Sequence, residues 1–401
     1  MLSEKIIDLL IERLVNRIES TNTKILEKIS EDIFKLGTLS VTDAHKLGQI
    51  LKYGGSYNKI TKELAELTKL NIKDIEDIFE EVAKSDYTFA KQFYDYKDVD
   101  YIPYNKNKAL QRQVRAFKKI TSKTYKNLSK TMAYALKDTD GKTIYTPIAK
   151  AYQEIIDKAV LSVGQGKNTF QKEMSDAIKT LGGNGIVVQY PSGYHRRLDT
   201  SIRMNMNEGL INMSIELQKQ FGREFGADGV ELTVHEAPAP DHAGIQGHQF
   251  SNKEFNKMQS NKAFKDVNGV EFEALDRIIG QWNCKHRTFN IVIGVSEPLY
   301  SKKQLQNIIE SNNKGFELDG KHYTTYEGTQ LQRRLETEIR KQKDIQILGK
   351  GARQKEVVAE AQAKITALTQ KYKELSDISG LPTRMQRMRV ADYRRINIEK
   401  L

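Results

Sequence analysis

Apolar residues recur at three- and four-residue steps through the first 36 positions, where Ile6, Leu9, Leu10, Leu14, Ile18, Ile25 and Ile29 fall in register. Only a helix gathers that spacing onto one side, so the chain opens as a long amphipathic helix that must bury a stripe. Gly37, then Ser40 and Asp43, reads as a stop and a fresh N-cap. Shorter helices are expected over 42–53, 56–68 and 71–84. Gly54-Gly55 separates the first two, and Asn71 caps the third before Asp74, Glu76 and Asp77. From Ser85 to Pro103 the periodicity loosens into aromatic and acidic residues. The chain is 38% hydrophobic and 29% charged, which suits elongated helices with large solvated faces.

Charge is distributed unevenly along the chain. Residues 1–100 hold 15 Lys/Arg against 19 Asp/Glu, whereas 101–137 hold 10 Lys/Arg and no acid, and 330–401 hold 17 against 9. Such a dipolar chain points to different partners at its two ends. The acid-free stretch reads as a helix over 105–137, with Arg112, Arg115, Lys119, Lys123 and Lys126 spaced 3, 4, 4 and 3 along one face. Leu110, Val114, Phe117, Thr124 and Leu128 form the face that packs. Surface helices ordinarily intersperse acids, so ten uncompensated cations favour a phosphate backbone or an acidic protein face over bare solvent. No helix-turn-helix, finger or RNA-binding signature is present, so any nucleic-acid contact is expected to be sequence-independent.

A turn at Asp140-Gly141 leads to a helix over 147–162, and another helix runs to Leu181. Gly164-Gln-Gly166-Lys167-Asn-Thr169 lacks the spacing and flanking strand of a phosphate-binding loop and reads as a linker. A strand follows at 186–190, then a helix from Tyr194 to Phe221. After Gly226 the period changes: Val230, Leu232 and Val234 alternate with Glu231, Thr233 and His235, a half-buried strand. Ile291-Val-Ile293 is a second strand, and Phe316–Tyr323 a hairpin turning at Asp319-Gly320. From Tyr326 to Leu375 the chain reads as one long polar helix, weak at Gly349–Gly351, spanning solvent and ending at Gly380-Leu-Pro382.

The expected fold is mainly α with a small α+β module, long helices flanking short strands and a hairpin. Four segments follow: an acidic helical domain over 1–100, a basic helical region over 101–182, an α+β module over 183–328, and a long polar, basic helix and tail over 329–401.

Five of the seven histidines and the one cysteine fall between His235 and His322. His235, Asp241, His242, His248, Cys284 and His286 sit in two short clusters, 235–248 and 280–286, punctuated by Gly and Pro. Imidazole, thiolate and carboxylate are zinc ligands, so converging loops would form a metal site. A catalytic version would keep one open position and use Asp241 or Glu236 as general base. The alternative is a loop pair held in register by hydrogen bonds beside Trp282. No His-Glu-x-x-His occurs, and the spacing matches no short-range finger. Cys284 has no recognisable nucleophile context, and a single cysteine excludes an intrachain disulfide. Met1-Leu-Ser-Glu-Lys-Ile-Ile-Asp8 lacks the basic n-region of a secretory signal, and no run approaches the ~18 apolar residues needed to span a bilayer.

Several motifs stand in a fixed order along the chain from Ser192 to Lys343. The series is Ser192-Gly-Tyr-His-Arg-Arg-Leu-Asp-Thr-Ser-Ile-Arg203; His235, Asp241-His242 and Gln246-Gly247; and Trp282-Asn-Cys-Lys-His286. Tyr323-Thr-Thr-Tyr-Glu327, Gln330-x-Gln332-Arg333-x-Leu335-Glu336 and Ile339-Arg340-x-x-Lys343 complete it. In this order they resemble the minor capsid protein 2 group of the tailed-phage head-morphogenesis family. The resemblance covers about 100–401 and adds little over the N-terminal helices. Glu236-Ala-Pro-Ala-Pro-Asp241 stands where the family tends to have Gly-Ala-Arg-Pro. The resemblance implies a low-copy structural protein of the phage head, near the portal vertex or head interior, assembled in the host cytoplasm. It implies portal or major capsid protein and packaged DNA as partners, with no membrane, no small-molecule substrate and no enzymatic activity. The rival readings are a metal-dependent hydrolase built on the His/Cys cluster and a nucleic-acid-binding factor outside the virion.

Overall fold

In a computed structural model the chain is mainly α-helical with several small antiparallel sheets. The structure describes residues 4–37, 56–137, 140–148, 150–151, 153–155, 157, 169–235, 237–391 and 393–396. The expected helix over 42–53, the stop and cap after Gly37, the 164–168 linker and Glu236 lie outside these residues, as does much of the helix expected over 147–162.

Helix α1 (Glu4–Gly37) buries Ile7, Leu10, Ile11, Leu14, Val15 and Ile18. Its stripe is rotated from the expected one, so that Ile6 and Leu9 are exposed. Helix α2 (Ser56–Lys97) is a single helix in place of the two expected. Asn71 is not a cap. It is buried mid-helix, where its amide donates to the Tyr125 hydroxyl at 2.7 Å, and this partner 54 residues away replaces the capping role. The aromatic segment after Ser85 continues the helix because Tyr87, Ala90 and Tyr94 are buried at helical spacing.

Helix α3 (Lys108–Lys130) is capped by Asn107, whose Oδ1 accepts from the Leu110 N–H. It stops short of 137, where Ala133–Lys137 is instead strand β1, paired antiparallel with β2 (Thr143–Pro147). The buried face of α3 includes Tyr125 and Thr121, whereas Thr124 is exposed. Helix α4 (Thr169–Asn184) leads into β3 (Ile186–Gln189) and β4 (His195–Arg197), giving the order β2-β1-β3-β4.

Helix α5 (Leu198–Glu224) starts later than expected because His195–Arg197 is taken into the sheet. It is buried on two faces. Met206, Leu210, Met213, Leu217 and Phe221 join the large helical core, while Ile211 and Ile215 join a second core around Val230, Phe250, Phe255 and Phe264. A helix apolar on so much of its circumference belongs between two layers. Beyond it, β5 (Gly229–Leu232) lies between β6 (Gln249–Ser251) and β9 (Thr288–Ile291). Strand β5 is buried throughout, not half-buried: Glu231 is 1% exposed and accepts hydrogen bonds from Gln249 Nε2 and the Leu299 N–H. The short helices α6 (Pro240–Ala243) and α7 (Asn252–Met258) and the ribbon of β7 (Phe264–Lys265) and β8 (Glu271–Phe272) complete this layer.

After helix α8 (Lys302–Lys314), the hairpin of β10 (Phe316–Leu318) and β11 (Lys321–Tyr323) turns at Asp319 and Gly320, with φ of 51° and 72°. The expected solvent-spanning helix is two helices, α9 (Thr325–Gly351) and α10 (Lys355–Ser379), folded back on each other. Gln332 donates to Ser376 Oγ at 2.9 Å, and the Tyr372 hydroxyl donates to Glu336 at 3.1 Å. The i,i+4 polar stripe Gln332, Glu336, Arg340, Asp344 faces inward and is buried. A helix expected to span solvent thus buries polar side chains, and each member meets a polar partner inside. Gly380, with φ of 67°, ends α10 as expected. The largest core draws side chains from Ile7 to Ala361 and so from all four expected segments.

Candidate functional site

Two loops bring the chemically special residues together. The first leaves β5 and runs through α6, which carries His242. The second turns at Gly280 (φ 91°) and passes through Trp282 and Asn283, at φ of 48° and 66°. Two successive non-glycine residues in the left-handed region are unusual, and they bend this loop back so that Cys284 points inward. The Cys284 N–H donates to Gln281 O at 2.9 Å, closing the turn, and the Gly280 and His286 backbone N–H groups favour the thiolate against the effect of burial.

His242, Cys284 and His286 are all buried, and a ligand atom from each lies within 4.8 Å of the others. Cys284 Sγ is 3.6 Å from His242 Nδ1 and 3.4 Å from His286 Nδ1. The far ring nitrogens are also fixed. His242 Nε2 sits 3.0 Å from Arg277 O and His286 Nε2 3.4 Å from Gln246 Oε1, an oxygen that also accepts from the His235 N–H. A carbonyl only accepts, so each Nε2 carries the hydrogen and each Nδ1 presents a lone pair to the sulfur. Burial lowers the pKa of His242 and raises that of the Cys284 thiol.

Of the other expected ligands, His235 and Asp241 border this trio without joining it, with Asp241 Oδ2 3.5 Å from His242 Nε2, and His248 is paired elsewhere. His235 packs its ring edge-on against His286, centroids 4.4 Å apart. Asp241 is held by Arg277 through Nε–Oδ2 and Nη2–Oδ1 contacts of 2.8 and 3.0 Å. His248 pairs with Asp266 at 2.9 Å and stands edge-on to Phe272, in the aromatic cluster of Phe250 and Phe264. Arg277 carried no motif in the sequence. It nevertheless supplies a guanidinium beside the loop whose expected arginine is missing.

The trio forms part of the wall of an open cleft of about 1420 Å³. Nine Arg/Lys and four carboxylates line it, so it is cationic. The motifs scattered along the sequence converge here: Tyr194, Arg196 and Arg203 from one, Trp282–His286 from another, and Gln330, Arg333 and Arg340 from α9. Helix α1 closes one side, where Glu12 takes the Arg203 guanidinium at 2.7 and 2.9 Å and Asp8 takes Lys285 at 2.8 Å. Among the described residues no carboxylate lies within ion-pair distance of Arg333, Arg334 or Arg384. Burial, then the charges of Arg387 and Arg384, lowers the Arg333 pKa. Trp282 and Tyr194 are more than half exposed at the rim, with the Arg196 guanidinium 5.2 Å from the Tyr194 ring centre.

The five cations of α3 lie elsewhere. Arg112, Arg115, Lys119, Lys123 and Lys126 are all exposed, whereas Lys118 of the same helix pairs with Glu80.

The architecture defines a helical packing protein with small β inserts and two cationic surfaces. The chain belongs to the phage minor capsid protein 2 family, which matches it over residues 2–377. It is thus a phage minor capsid protein, and the match includes the N-terminal helices, beyond the 100–401 span of the motifs. No curated protein and no solved structure matches the chain. Among the described residues, no helix is long and apolar enough to cross a membrane.

Proposed function

We propose that this protein is an architectural component of the phage head, seated at the portal vertex or inner capsid surface, and that it touches packaged DNA through α3. The carrying observation is the stripe Arg112, Arg115, Lys119, Lys123 and Lys126, exposed together on a helix with no acid of its own. Such a ridge neutralises phosphates without reading bases, which suits a protein that meets the genome at any sequence. The acidic N-terminal helices offer a separate face to a portal or major capsid protein. The role we propose is adhesion and not turnover: Asp241, one of the two bases expected of a hydrolase, is committed to Arg277.

Mass spectrometry and cross-linking of purified particles test this reading. The chain is expected in mature or precursor heads, cross-linked to portal or major capsid protein. Its absence from particles would favour a nucleic-acid-binding factor outside the virion. Multiple turnover of a substrate, abolished by replacing His242, would favour the hydrolase.

A further inference from the structure

We infer that His242 Nδ1, Cys284 Sγ and His286 Nδ1 bind one zinc-class divalent cation, whose fourth position faces the cationic cleft. This stands independently of where the protein sits in the particle. The argument begins with hydrogens. Both Nδ1 atoms present lone pairs to Sγ, because both Nε2 hydrogens are engaged by oxygen acceptors. A thiol has one hydrogen and can satisfy one of these two contacts, at 3.6 and 3.4 Å. With both rings neutral, the other then sets nitrogen and sulfur lone pairs against each other in a buried site, which is unfavourable. A cation between the three atoms removes the conflict at once.

The two sulfur–nitrogen separations agree, and all three ligand atoms lie within 4.8 Å of one another. Zinc–sulfur and zinc–nitrogen bonds of about 2.3 and 2.05 Å at a tetrahedral angle put ligand atoms about 3.5 Å apart. The observed sulfur–nitrogen distances of 3.6 and 3.4 Å bracket that value. The surroundings are also those of a metal centre. Arg277 O and Gln246 Oε1 fix the imidazole tautomers, the arrangement that orients metal-bound histidines. The Gly280 and His286 N–H groups stabilise negative charge on sulfur. As the metal–sulfur bond forms, the thiol proton passes to solvent and the sulfur binds as thiolate. Three protein ligands leave one tetrahedral position. Because the trio lies on the cleft wall, water or an anionic oxygen entering the cleft completes the shell.

The test is metal analysis of the untagged full-length protein after exposure to zinc and extensive dialysis. The expected result is about one zinc per chain. Cys284→Ser and His242→Ala are expected to lose it while keeping the wild-type circular dichroism, and His248→Ala, in the separate Asp266 pair, to keep it. Cobalt added to the wild type is expected to give a thiolate-to-cobalt charge-transfer band, a readout that needs no variant to fold. Gln246→Leu is expected to weaken binding by roughly 10- to 100-fold. Wild-type protein that retains no zinc and shows no such band overturns the proposal, as does Cys284→Ser retaining the wild-type stoichiometry.

Discussion

The Arg287 guanidinium places one nitrogen 2.8 Å from each carboxylate oxygen of Asp86, joining the last residue before β9 to the C-terminal half of α2 across 201 positions. Ser214 of α5 binds both partners, at 2.7 Å to Asp86 and 2.9 Å to Arg287, and all three side chains are buried. This contact fastens the β module to the helical core.

Removing one partner leaves the other charge buried and unmatched. Asp86→Ala is expected to cost about 3–5 kcal/mol, read as a lower urea midpoint. The double replacement Asp86→Leu with Arg287→Met should recover much of that loss. Equal instability of the double and single variants would show that the pair contributes by a route other than charge.

A second buried network sets a pH dependence. Glu19 is pushed up to about 8 by burial and by the charges of Asp199 and Asp344, against the pull of Arg197 and Arg340. Its Oε2 has no hydrogen-bond partner among the described residues. Asp344 is raised to about 6, first by burial. Burial also opposes the charge on Asp199, but Arg340, Arg197 and Arg203 hold its pKa well below the usual carboxylate range. A carboxyl with a raised folded-state pKa stays protonated in the fold after the unfolded chain has ionised. Its contribution therefore falls as pH rises from about 4.5 to about 8 for Glu19. Glu19→Gln is expected to flatten this decline and to raise stability at pH 8 relative to wild type. Thermal unfolding at pH 5 and pH 8 measures it, and an unchanged slope would count against the assignment.

Helix packing gives a paired test. A Cβ on Gly182 of α4 would stand 2.6 Å from the Ile345 backbone nitrogen of α9, whereas one on Gly183 meets nothing within 4 Å. Alanine normally stabilises a helix interior by about 0.5–1 kcal/mol over glycine. Gly183→Ala should therefore stabilise by roughly that amount, while Gly182→Ala should destabilise by about 1–3 kcal/mol through overpacking. Similar midpoints for the two would mean that α4 and α9 shift apart at little cost.

The α3 ridge makes a salt-dependence prediction. Replacing Arg112, Arg115, Lys119, Lys123 and Lys126 by Glu should reduce the slope of log affinity against log salt for duplex DNA by about 4 to 5. Circular dichroism should be unchanged, because all five side chains are exposed. Unaltered DNA affinity would remove α3 as the contact and direct attention to the cleft.

Local pattern determined a good deal. The three- and four-residue steps of α1, the uncompensated face of α3, the Asp319-Gly320 turn and the Gly380 stop all follow from which side chains share a side and which backbones adopt positive φ. The concentration of His and Cys residues marked the two loops that meet at the cleft, and the motif order marked the family. Other features depended on partners far along the chain. The stripe from Gln332 to Asp344 has the spacing of a solvated face, yet it turns inward because Arg197 reaches Asp344, 147 positions away. Asn71 has the chemistry of a cap, but Tyr125 takes its amide inside a continuous helix. Six residues shared the chemistry of metal ligands, and only tertiary packing separated His242, Cys284 and His286 from His248 with Asp266, Asp241 with Arg277, and the neighbouring His235. Periodicity records which residues lie on one side of an element. Whether a polar group can be buried there is decided by a counter-charge or hydrogen-bond partner that only the folded chain delivers.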